Sequence, residues 1–75
     1  MAWHRKSVEV FLANEQVDKA KAEAILARVT EAAGVDEIFS STILDHVMED
    51  ESLARRFERA WERDPSVRRA AFGRE

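Results

Sequence analysis

Only three of the 75 residues, Gly34, Pro65 and Gly73, interrupt a helix on backbone grounds, and their placement constrains the fold more than any other feature of the chain. Glycine loses the most backbone freedom on entering a helix, and proline removes a hydrogen bond and clashes with the preceding turn. All three sit where a helix is expected to begin or end. The expectation is an all-α fold, a small bundle of four to five short helices, forming a single domain over residues 1–75. Residues 64–75 are expected to form a short C-terminal helix or tail.

Capping residues divide the chain further. Asn14 suits the N-cap of a helix over residues 15–33, and Gly34 supplies the left-handed residue that commonly follows a helix. Asp36 can cap a helix over 37–48, and Asp50 or Ser52 one over 53–63. Asp64-Pro65 reads as a cap followed by proline at the first helical position, opening a last helix that stops at Gly73. Segment 7–13 has two readings. Val8, Phe11 and Leu12 fit a helix capped by Ser7, whereas Val8, Val10 and Leu12 alternate as in a strand. Helix is preferred, because a strand with no second strand in the chain would have to pair across a dimer.

Successive residues lie about 100° apart around a helix, which shows what each segment buries. In the 15–33 segment, Ala22, Ile25, Leu26, Val29, Ala32 and Ala33 share one face, and Ala20, Ala24 and Ala27 form a second, small-residue face that lets a neighbour approach closely. In the 37–48 segment, Phe39, Ile43, Leu44, Val47 and Met48 spread over about half the circumference. That spread marks a central helix, or one that meets a partner.

The charges are polarised along the chain. Residues 1–51 carry five basic and eleven acidic side chains, a net −6. Residues 52–75 carry seven arginines and no lysine against Glu58, Glu62, Asp64 and Glu75, a net +3. On the 53–63 helix, Leu53, Ala54, Phe57, Ala60 and Trp61 make an apolar stripe about 120° wide. Arg55, Arg56, Arg59 and Arg63 fill one flank of it, and Glu58 and Glu62 take the other. Like charges therefore face each other one turn apart, at a cost of a few tenths of a kcal/mol per pair. A helix shaped only for solubility would interleave the signs. Glu51–Arg55, Arg55–Glu58 and Arg59–Glu62 are the pairs within the helix that offset this repulsion, and Asp45, Glu49, Asp50 and Glu51 are the acids of the same chain that could absorb the flank.

A chain of this length buries only about 60% of its unfolded surface. Small domains add disulfides, a metal or a partner subunit, and the absence of cysteine leaves self-association as the expected supplement. No apolar run approaches the ~20 residues of a membrane span, and the N-terminus lacks the small-residue cleavage site of a secretory leader. A cytoplasmic location is the expectation.

Several function classes fit poorly. The stretch Val29 to Val35 resembles the turn of a helix-turn-helix over seven residues, but Ser40 falls where an apolar residue is wanted, and the would-be recognition helix carries Asp36, Glu37, Asp45, Glu49 and Asp50 with no arginine or lysine. A phosphate backbone would repel it. A ribbon-helix-helix dimer would point Ser7, Glu9 and Phe11 into a groove, a poor set for reading base edges. His46 has Glu49 and Asp50 nearby, yet no Glu-x-x-His occurs, so no metal site is expected. No serine has a recognisable base and no glycine-rich phosphate loop exists, so neither enzyme activity nor a cofactor is expected.

What remains is a protein-interaction module or adaptor, self-associating, that uses its arginine-rich C-terminal helix on acidic protein surfaces. The candidate partner-binding residues are Arg55, Arg56, Arg59, Arg63, Arg68 and Arg69, with Phe57 and Trp61 at the edge of the contact. The alternative is a small nucleic-acid-binding regulator that grips phosphates with the same residues.

Overall fold

In a computed structural model, residues 2–33 and 38–72 are described. They form an all-α bundle of five helices and one two-stranded ribbon. In chain order these are β1 (Ala2–His4), α1 (Arg5–Asn14), α2 (Lys19–Ala33), β2 (Ile38–Ser40), a 3-10 turn (Ser41–Ile43), α3 (Leu44–Met48), α4 (Glu51–Arg63) and α5 (Pro65–Phe72). The exposed area of 4857 Å² matches the roughly 4,700 Å² expected of a compact monomer of this mass. No described helix is long and apolar enough to cross a membrane.

Segment 7–13 is helical, within α1. Ser7 does not cap it; it lies inside the first turn, fully buried, and His4 occupies the cap position without a side-chain bond. The strand that does exist lies earlier and pairs within the chain: β1 runs antiparallel to β2, with Trp3 opposite Phe39. No dimer is needed to satisfy it.

The expected helix over 15–33 starts four residues late. Glu15 and Gln16 belong instead to the C-terminus of α1, where Gln16 takes φ 57°. Its N–H bonds Ala13 O at 3.1 Å and Val17 N–H bonds Leu12 O at 3.1 Å, the paired bonds of a Schellman motif. Val17 packs against the core beside the buried Leu12. Asp18, not Asn14, opens α2, its carboxylate accepting from Ala20 N at 3.1 Å.

The expected helix over 37–48 is also corrected. Residues 38–43 are strand and 3-10 turn, and only Leu44–Met48 is α-helical. Ile38, Phe39, Thr42 and Ile43 are β-branched or aromatic, and Ser40 and Thr42 bond each other through their hydroxyls at 2.6 Å, so local chemistry disfavours helix. The Asp36 cap and the two glycine stops fall outside the described residues.

The helix at the centre is α1 rather than α3, since it packs against α2, α4, α5 and β1. Its Val8, Phe11 and Leu12 meet Ile25 and Val29 of α2, Leu44, Val47 and Met48 of α3, Leu53, Ala54 and Phe57 of α4, and Val67 of α5 in one core. Trp3 of β1 closes that core at 1% exposure. Three aromatic rings meet there, with Phe57 edge-on to Trp3 at 5.1 Å and to Phe11 at 5.3 Å.

Candidate interaction surface

Helix α4 begins at Asp50, whose carboxylate accepts from Leu53 N at 3.2 Å. That backbone bond, followed by Lys21 at 3.5 Å, holds the Asp50 carboxyl below its ordinary 3.8. The helix ends at Asp64, whose Oδ1 accepts from Ser66 Oγ at 2.8 Å and Ser66 N at 3.0 Å, opening α5. These bonds, with Asn14 of α1 adding a third donor, lower the Asp64 carboxyl too. The expected Asp64-Pro65 start is observed, and the α4 cap resolves to Asp50 rather than Ser52. Both ends are thus fixed, and the helix cannot rotate its flanks without losing caps worth about 1 kcal/mol each.

With the ends fixed, Leu53, Ala54 and Phe57 go inward, Ala60 and Trp61 lie half-buried, and the arginine flank faces out. The arginines then separate by what they touch. Arg55 pairs with Glu51 at 2.7 Å and Arg56 with Glu15 at 3.5 Å. Both pairs are exposed and contribute little. Arg68 of α5 is occupied structurally: its guanidinium donates to Trp61 O at 3.1 Å and to Glu62 O, satisfying carbonyls that the end of α4 leaves open. Arg59, Arg63 and Arg69 are exposed and make no hydrogen bond or ion pair among the described residues. The expected Arg55–Glu58 and Arg59–Glu62 pairs are not formed. Of the four acids expected to absorb the flank, only Glu51 does so.

Phe57 is fully buried within the chain, where its ring packs against Trp3 and Phe11 and holds the helix in place. Trp61 lies between core and surface, its ring 6.4 Å from that of Phe57. The exposed arginines without an ionic partner among the described residues are therefore Arg59 and Arg63 on α4 and Arg69 on α5, while Trp61 lies about 160° round α4 from the first two.

A second surface feature was not legible in the sequence. Arg28 of α2 reaches across to α3, donating to Val47 O at 2.9 Å and lying 3.5 Å from Glu49. Beside this bridge a groove of about 210 Å³ opens between α2 and α3, lined by Arg28, Glu31, Ala32, Ile43, His46 and Val47. Its formation depends on the break at residues 38–43, which sets α3 against α2 at a place no single helical wheel could indicate. No group of three histidines or carboxylates among the described residues could hold a metal ion.

Comparison with protein-family models, curated proteins and solved structures finds no match for this chain. Its functional reading rests on its own residues.

Proposed function

We propose that this chain is a small, self-associating protein-interaction module whose α4 arginine flank binds carboxylate-bearing surfaces. The observation that carries the reading is the pair Arg59 and Arg63, exposed one turn apart with no ionic partner among the described residues. Adjacent like charges cost the free helix a few tenths of a kcal/mol, and an acidic partner converts that repulsion into attraction. Guanidinium groups suit the task because each can grip a carboxylate with two parallel hydrogen bonds. Trp61, half-buried, lies about 160° round α4 from both arginines, so the contact rests on the guanidinium groups themselves. The net charge of −3 favours a protein target over a nucleic acid.

Binding of the folded chain to a poly-glutamate peptide and to random duplex DNA, each across a salt series, tests the reading. Affinity for the acidic peptide is expected to fall with salt and to be lost in Arg59→Glu/Arg63→Glu with the circular dichroism unchanged. Binding to DNA alone, with a steep salt slope, would move the function to a nucleic-acid-binding regulator. No binding to either at low salt would overturn both.

A further inference from the structure

We infer that Glu15 is an internal ligand of the arginine flank and that an acidic partner binds by displacing it from Arg56, an inference that rests on the flank being a binding surface. Arg56, Arg59 and Arg63 fall within about 60° of one another on α4 and span about 10 Å along its axis, so they form one row. Arg55 lies about 100° round the helix from Arg56 and is hydrogen-bonded to Glu51 at 2.7 Å, which takes it out of that row. Arg59 and Arg63 have no ionic partner among the described residues, and Arg56 has Glu15. The row is therefore occupied at one end and open at the other two positions.

Glu15 is poorly placed for its own helix. It is the C-cap of α1, where open carbonyls carry negative charge that repels a carboxylate, and the last turn of α1 holds no basic residue to answer it. The answer comes from Arg56 of α4. This end of α1 is held against the α4–α5 junction independently of the pair, since Asn14 Nδ2 donates to Asp64 Oδ2 and to Ser66 Oγ, each at 3.3 Å. Glu15 N–H bonds Phe11 O at 2.9 Å. The backbone thus presents the carboxylate to the row, and the side chain can leave without disturbing these bonds.

The contact itself is a loose one. Its N–O distance is 3.5 Å with no hydrogen bond, against 2.7 Å and a hydrogen bond for Arg55 and Glu51. Both side chains are exposed, Arg56 by 55% and Glu15 by 34%, so water screens their attraction. A partner carboxylate that grips the guanidinium with two charge-assisted hydrogen bonds outcompetes it. The partner that fits is an acidic run rather than a single acid, with carboxylates spread over about 10 Å and one of them taking the place of Glu15.

Poly-glutamate binding at low salt by the parent, Glu15→Gln, Arg56→Gln and the double variant tests this as a double-mutant cycle. Removing the internal competitor in Glu15→Gln should tighten binding about two- to fivefold, the range an exposed ion pair can supply. Arg56→Gln should weaken binding by a similar factor, and Glu15→Gln should add nothing in the Arg56→Gln background. Circular dichroism should be the same for all four proteins. A gain that persists without Arg56 would reflect the general field of one acid, overturning the internal ligand while the flank reading stands. Unchanged or weaker binding in Glu15→Gln, or unchanged binding in Arg56→Gln, would overturn it equally and leave Arg59 and Arg63 as the flank. If none of the four binds poly-glutamate, both readings fail.

Discussion

Replacing Ser7 with alanine should make this protein more stable, and the sign separates two accounts of the same residue. Ser7 is 0% exposed on α1, and its hydroxyl has no hydrogen-bond partner among the described residues. An unmade hydroxyl in the interior costs about 1–3 kcal/mol of desolvation. Alanine adds a few tenths in helix propensity. Against this stands the void left by one oxygen, smaller than a methyl group and worth less than about 1 kcal/mol. The net is a stabilisation of about 1–2 kcal/mol. At 4–8 °C per kcal/mol for a domain of this size, Tm should rise by about 5–15 °C. Urea unfolding followed by circular dichroism should show a higher midpoint with the slope unchanged. Had Ser7 capped the helix, as the sequence suggests, the same substitution would cost about 1 kcal/mol. A loss of that size would show the hydroxyl to be bonded and refute the packing argument.

Other outcomes follow from the same packing and caps. Phe57→Ala removes the ring on which Trp3, Phe11 and Trp61 converge. A loss of about 3–5 kcal/mol is expected, a large share of the roughly 4–11 kcal/mol available to a chain of this length, and a thermal melt would show partial unfolding near room temperature. Acid should destabilise the fold through Asp50 and Asp64, both held below 3.8 by the N–H and O–H donors they cap. Their contribution is fully present above the unfolded value and is lost as pH falls through the lower folded values, because the unfolded chain takes up protons first. Asp50→Asn/Asp64→Asn keeps the caps but removes the titration, so its urea midpoint should fall less steeply below pH 4; an unchanged slope would assign the acid sensitivity to other groups.

The class of fold and the character of α4 are legible in the amino-acid sequence. Scarce glycine and proline required helices, the Asp64-Pro65 pair placed the break between α4 and α5, and the 3.6-residue period put Leu53, Ala54 and Phe57 inward with arginine on one flank. Those features are local: each depends on residues within a turn or two of one another. Tertiary structure decided what local chemistry leaves degenerate. Asn14 and Asp18 are both good caps, and the choice fell to Asp18 because Leu12 and Val17 together closed α1 with Gln16 in a left-handed conformation. Residues 38–43 are disfavoured as helix by their own chemistry, but what 38–40 became was decided by pairing with β1, whose Trp3 packs on Phe57. Which arginines stay free was likewise settled at a distance. Glu15 lies 41 positions from the Arg56 it engages, and Arg68 turns back onto the end of α4, leaving Arg59, Arg63 and Arg69 to the solvent. A helical wheel fixes the direction in which a side chain points; only the packing of one helix on another fixes what it meets there.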